Sequence, residues 1–347
     1  MSFLSTIRNT FISKAGIVLI NFLLVVVSTN LWGPEGRGNI AIVIADVSII
    51  AIINNILAGS CVAFYTPKRG FSVIMPIAYL WTLVSTAVFS LLFSFALKHG
   101  SFQYIFFITL LNSLSTLHLL YFSAKQQFKL YNILSFIQPL INIIFVFALY
   151  YVLPVKTEVV YFKAYILAFF IVYIVSAIIS FRQNKPRLVI DYKLGREMFV
   201  YGWQTELSSL IQFVNYRVVY FLILYFAGIS EVGIYSTAIA IAESIWVISR
   251  SISTVLYSKV INVASNDEGI YYTKVSVRYS IWFSALLYVV LLIMPISLYS
   301  FIFGKDFGAI KPVLFFICPG ILAMSLNLVY GHYFSAIGNT NILLNKS

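Results

Sequence analysis

Ten apolar runs, each about long enough to cross a bilayer, govern what this chain can become. They lie near residues 11–31, 40–62, 72–97, 102–122, 132–153, 161–181, 199–226, 232–250, 277–302 and 311–331. A membrane-spanning helix needs about 20 mostly apolar residues, whereas a barrel strand needs about 10 and alternates in polarity. These runs are long and do not alternate, so they predict helices, which satisfy their own backbone polar groups in hydrocarbon. Composition agrees: 61% of the residues are hydrophobic and 10% are charged, against about 25% charged in soluble domains. The first run is too long for a cleaved signal peptide, and no small-x-small site follows it at Asn30–Leu31–Trp32. The expected fold class is therefore all-α, a polytopic membrane protein with about ten transmembrane helices.

Charge orients this bundle. Sixteen of the 23 Lys and Arg fall in the loops on the side of the amino terminus and six on the other side, leaving Arg217 in mid-span. Positive residues accumulate on the cytosolic side, so both termini are expected inside. The net charge of +12 then reads as a topology signal and an attraction to anionic membrane lipids, and nucleic acid is not an expected partner. Cys61 and Cys318 stand singly in or beside apolar runs and read as inert thiols. No CxxC, HExxH, Walker, GxSxG or dinucleotide motif is present, and His99, His118 and His332 are scattered. The chain is thus read as no enzyme, with no cofactor or metal.

Two internal echoes divide the chain. "YFSA" occurs at Tyr121–Ala124, closing the fourth run, and again at Tyr333–Ala336, closing the tenth. "GPEGRG" at Gly33–Gly38 joins the first two runs, and "GISEVG" at Gly228–Gly233 joins the seventh and eighth. Both pairs are displaced by six spans, which predicts two halves in parallel orientation. The expected organisation is a first six-helix half over residues 1–181, a basic cytosolic linker over 182–198, and a second half over 199–347 with four helices. On this count the second half stops short of its fifth span, and "GNTNILLNKS" reads as a lead-in to a missing helix.

The stretch Asn215–Trp246, "NYRVVYFLILYFAGISEVGIYSTAIAIAESIW", is similar to the start of the second half in bacterial polysaccharide exporters. These are the lipid-linked oligosaccharide (O-antigen) flippases, of the superfamily that includes the multidrug and toxic-compound exporters. Leu31–Ser48 resembles the matching turn of the first half. The resemblance implies a multi-pass protein of the bacterial cytoplasmic membrane. Its cargo would be an oligosaccharide on a polyprenyl pyrophosphate, with other glycan-assembly proteins as partners. It also implies a wet crevice between the halves, opened to each side in turn, and a coupling ion such as a proton or sodium. The chain departs from the family in its short second half, and in having Val218 and Val219 where relatives often carry an acid after the Arg of span seven.

Charges in mid-span are costly, about 2.5–3.5 kcal/mol on insertion scales, and mark interior faces. Arg217 is the first candidate for holding the pyrophosphate or sugar; a structural pair or a snorkelling side chain is the plain alternative. Glu243, in span eight, could pair with Arg217 or take up a coupling proton. Asp46 lies at a similar depth in span two, two positions from the counterpart of Glu243 when Gly38 is matched to Gly233. Glu206 and Arg250 are also candidates for the pathway, but lie nearer the inner surface and are expected to be solvated there. Asn54, Asn55 and Gln138 could bind sugar hydroxyls or tie helices together. Pro139, Pro295 and Pro319 should kink their spans. The rival readings are a multidrug or other lipid exporter of the same superfamily, a membrane polymerase or acyltransferase, and a remnant that no longer transports. The large outer loop of the polymerases and the acyltransferases' histidine constellation are both missing from the sequence.

Overall fold

Apolar residues in unbroken runs leave the backbone no partner but itself, and the chain answers with helices throughout. A computed structural model describes residues 3–96, 101–184, 191–261 and 266–337. In order these form α1 (Phe3–Ala58), α2 (Ser60–Arg69), α3 (Phe71–Leu91), α4 (Phe102–Ala124), α5 (Phe128–Val152), α6 (Val159–Gln183), α7 (Tyr192–Ala227), α8 (Ile229–Ile261), α9 (Asn266–Ile293), α10 (Ile296–Phe303) and α11 (Ile310–Ala336). Nine helical segments among the described residues are long and apolar enough to span a membrane, and the first, Ile12–Arg69, holds two of the ten sequence runs. No strand occurs among the described residues.

The two glycine-bounded turns are built alike. Gly33 breaks α1 into two arms with φ 62° and ψ −168°. Gly228 separates α7 from α8 with φ 94° and ψ 175°. Both angles lie in territory that only glycine enters cheaply. Pro34 then takes the first position of the second arm, where a missing N–H costs nothing. Five residues beyond each turn glycine stands another: a methyl group on Gly38 would lie 2.0 Å from the Ile229 carbonyl oxygen, and one on Gly233 would lie 1.9 Å from that of Pro34. In each, the glycine meets the carbonyl of the residue that follows the other turn's glycine. The "YFSA" echo behaves similarly, since α4 ends at Ala124 and α11 at Ala336.

Several boundaries differ from the apolar runs. The ninth run does not continue to 302; α9 stops at Ile293 and Pro295 caps the short α10. Pro295 thus ends a helix, whereas Pro139 and Pro319 lie inside α5 and α11. The polar stretch 251–276 is not a long loop, because α8 runs on to Ile261 and α9 starts at Asn266. Ile252, Leu256 and Val260 recur every fourth residue there, so the helix keeps a buried stripe after overall hydropathy has fallen. Leu256 and Val260 are buried with Val329, against Tyr272, Val277, Tyr333 and Ala336. The segment 182–198 is helical at both ends, in α6 and α7, and its residues 185–190 lie outside the described residues. The proposed lead-in at 338–347 is likewise outside them.

The chain forms two compact units, Met1–Leu24 with Gly38–Ile229, and Val25–Arg37 with Ser230–Ser347. In the first, Cys61, Val62, Ile74, Ala78, Leu117 and Phe122 are among the fully buried core residues. Polar ties cross this core. Asn54 Nδ2 donates to Thr86 Oγ1 (2.9 Å) and Ser113 Oγ (2.8 Å), while its Oδ1 accepts from Ser85 Oγ. Asn54 therefore binds three helices together. His118 is fully buried; its Nε2 faces Tyr79 Oη and its Nδ1 faces Ser180 Oγ at 2.9 Å. The Ser180 hydroxyl spends its hydrogen on the Ser176 carbonyl (2.8 Å), so Nδ1–H donates to Ser180, and the ring joins α3, α4 and α6. In the second unit, Trp246 Nε1 donates to the Ile321 carbonyl (3.1 Å), Ser280 Oγ to Ser249 Oγ (2.8 Å), and Asn30 Nδ2 to the Ile302 carbonyl (2.7 Å).

Candidate functional site

Helix α7 carries the first candidate and the strongest local geometry. Asp191 caps it, its carboxylate accepting from the Leu194 amide at 3.0 Å. Leu194, Met198, Gly202 and Glu206 then follow every fourth residue, and all four are buried. This stripe lies on α2, α3 and the end of α1. Ile77 touches the Gly195 position, Trp81 meets Phe199 edge-on at 5.8 Å, and Phe64 stacks on Tyr201 with ring centroids 4.5 Å apart. Gly202 is pressed against the Ile56 backbone: a methyl group there would lie 1.7 Å from the Ile56 carbonyl oxygen. One turn further, the Glu206 carboxylate accepts from Ser60 Oγ at 3.2 Å. At the far end of the stripe Arg69 and Glu197 form an ion pair at 3.9 Å, both half-exposed.

Glu206 therefore corrects the expectation of a solvated interfacial side chain. It is 7% exposed. Sequence depth placed it near the surface, but the four-residue stripe points it into the seam with the second span. That span is itself interrupted here: α1 ends at Ala58, Gly59 has φ −101° and ψ −126°, and α2 restarts at Ser60.

Beyond Glu206 the helix changes character. From Leu207 to Val219 only Phe213 is buried. Arg217 lies in this stretch, partly buried, with its guanidinium donating to the Tyr220 hydroxyl and lying 5.1 Å from that ring. Tyr220, at 4% exposed, is held in place and so fixes the arginine's direction along the helix. A guanidinium over an aromatic face keeps its charge.

The other candidates occupy different settings. Asp46, in the second arm of α1, is fully buried in the first unit. Glu243 and Arg250 belong to the second unit, on α8; Glu243 is partly exposed and Arg250 exposed. Asn55 is partly exposed, and its carbonyl accepts from the Gly59 amide at 2.8 Å. Gln138 has a buried Nε2 with no partner among the described residues.

Asn142 was not legible from charge. It is fully buried, and neither its Oδ1 nor its Nδ2 has a hydrogen-bond partner among the described residues. Thr109 Oγ1, also buried, is in the same condition. The signal for Asn142 was its position four residues after Gln138, which puts two amides on one face of α5. Buried amides left unpaired are costly and mark places where water or a ligand hydroxyl is accommodated.

Comparison with solved structures places this arrangement. An inward-facing multidrug-resistance MATE family transporter of the MOP superfamily matches 93% of this chain and 81% of its own, with TM-score 0.68 and 12% identity. The fold is that of the MATE transporters. A second multidrug transporter, DinF-BH, matches 99% of this chain and 85% of its own, with TM-score 0.65 and 14% identity. The multi-pass helical architecture that the resemblance implies is matched at the level of the fold. No protein-family profile and no curated sequence matches the chain.

Proposed function

We propose that this chain is a flippase that carries a polyprenyl-pyrophosphate-linked oligosaccharide across the bacterial cytoplasmic membrane by alternating access. The observation that carries the reading is Arg217: a guanidinium well inside a membrane-length helix, on a stretch that buries little, directed by a buried tyrosine. A pyrophosphate cannot cross hydrocarbon unaided, and a forked cation is the side chain best matched to phosphate oxygens. The sequence likeness of Asn215–Trp246 to the polysaccharide exporters supports the same cargo.

The MATE-type fold supports transport as the class of activity, with no covalent step assigned to any residue. Two parallel halves of six and four helices, with both termini cytosolic, complete the reading. The paired glycine contacts and the matching ends of α4 and α11 favour the repeat, and the lysine and arginine bias favours the orientation. Asp46, Glu243 and Arg250 serve as further pathway residues, with a proton or sodium ion as the driving species. Cells without the chain should lose surface glycan and accumulate lipid-linked sugar on the cytosolic side; unchanged surface glycan would overturn the reading.

A second reading has its own support, because both solved relatives with this fold are multidrug transporters by name. On that reading, loss of the chain would sensitise cells to cationic dyes and leave surface glycan intact.

A further inference from the structure

We propose that Glu206 is a proton-binding site that sets whether the first third of α7 stays docked on the broken second span. The inference is independent of the cargo. Its carboxyl group is 7% exposed and is hydrogen-bonded only by neutral hydroxyls, Ser209 on its own helix and Ser60 Oγ at 3.2 Å, the latter at the residue where α2 restarts after the Gly59 interruption. No Lys or Arg lies within ion-pair distance of it among the described residues. Room for water is removed one turn earlier, where the Gly202 backbone lies against the Ile56 carbonyl.

A carboxylate buried without a cation is far more costly than a neutral acid, so the docked seam accepts the protonated side chain and resists the ionised one. Ionisation has an available outlet. At Gly59 the chain already leaves helical geometry (φ −101°, ψ −126°), so a small displacement of α2 about this point admits water to Glu206 without unwinding either helix. In the repeating stripe Leu194–Met198–Gly202–Glu206, three members are apolar or small and hold at any pH. The fourth alone changes charge.

The neighbouring titratable groups do not duplicate it. On α2, Cys61 is fully buried with its thiol on the Ile56 carbonyl, and Tyr65 lies edge-on to Tyr201 at 6.1 Å. Lys68 sits over the Phe64 ring at 3.3 Å, and Arg69 is engaged with Glu197 of α7. On α3 the side chains that meet α7 are Ile77 and Trp81, and Trp81 Nε1 donates to the Ile53 carbonyl. His118 of α4 is committed to Tyr79 and Ser180.

The test is a distance measurement on the full chain in lipid nanodiscs. Spin labels are placed at the exposed positions Lys68→Cys and Lys193→Cys with Cys318→Ser; Cys61 is buried and escapes labelling. The sample is titrated from about pH 5 to about pH 9, which brackets the proton release of buried carboxyl groups. The expected result is a short separation at acid pH that is lost to a longer one at alkaline pH. Glu206→Gln, neutral at every pH, should hold the short separation throughout, and Glu206→Asp should restore the response. A wild-type distance that ignores pH overturns the proposal, and so does a Gln variant that follows pH as wild type does. Should the Gln variant fail to reach the membrane, the wild-type titration decides alone.

Discussion

The two stretches of α7 on either side of Glu206 are one continuous helix and opposite in behaviour. Residues 194–206 place one residue in four against the second and third spans, down to a backbone contact at Gly202. Residues 207–219 bury a single side chain, Phe213, and hold Arg217. A helix packed closely along one stretch is positioned by it; along the next, the same helix buries far less of its surface. The contrast teaches that α7 is an arm, fixed at the start and presenting its arginine further along. Charged groups follow the same division, with Glu206 closed in a seam and Arg217 directed by Tyr220.

Gly202→Ala probes the fixed stretch hardest. The added methyl would sit 1.7 Å from a carbonyl oxygen that belongs to backbone and cannot rotate away. Overpacking of this kind costs about 1–3 kcal/mol or more. The variant should lose melting temperature and accumulate poorly in membranes, as read by thermal shift and immunoblot, whereas Val218→Ala in the open stretch should stay within about 0.5 kcal/mol of wild type. Equal tolerance at the two sites would erase the distinction between the stretches.

Reversing the Arg69–Glu197 pair, with Arg69→Glu and Glu197→Arg together, is the mildest probe. Both partners are half-exposed and 3.9 Å apart. Exposed pairs contribute about 0.2–1 kcal/mol, so either single change should shift stability only slightly and the double change should return it. A large loss from one of them would show that docking rests on this pair and not on the buried stripe.

The sequence revealed the all-helical class because each run had to satisfy its own backbone in lipid. It revealed the two turns because only glycine enters the angles found at Gly33 and Gly228. Helix ends were less legible. Past Arg250 hydropathy falls while the four-residue stripe Ile252–Leu256–Val260 continues, and a window that averages hydropathy cannot register a stripe. For Arg217, Asp46, Glu243 and Glu206 a position along a helix was legible, but not the face it occupies. Asp46 is fully buried and Glu243 is not, although the repeat puts them within two positions of each other. Facing depends on which neighbours arrive, and neighbours are non-local. Asn142 stands out only in the structure, where neither polar atom of its buried amide finds a partner among the described residues.

The most direct test is a translocation assay with the purified chain in proteoliposomes. A polyprenyl-pyrophosphate oligosaccharide is supplied in one leaflet and its exposure on the other is followed with a membrane-impermeant glycosidase. The chain should move the lipid-linked sugar, Arg217→Ala should abolish that movement while inserting normally, and Arg217→Lys should keep only part of it because a point charge does not reproduce the fork. Movement of a cationic dye but not of the glycan, or full glycan movement by Arg217→Ala, would contradict the account.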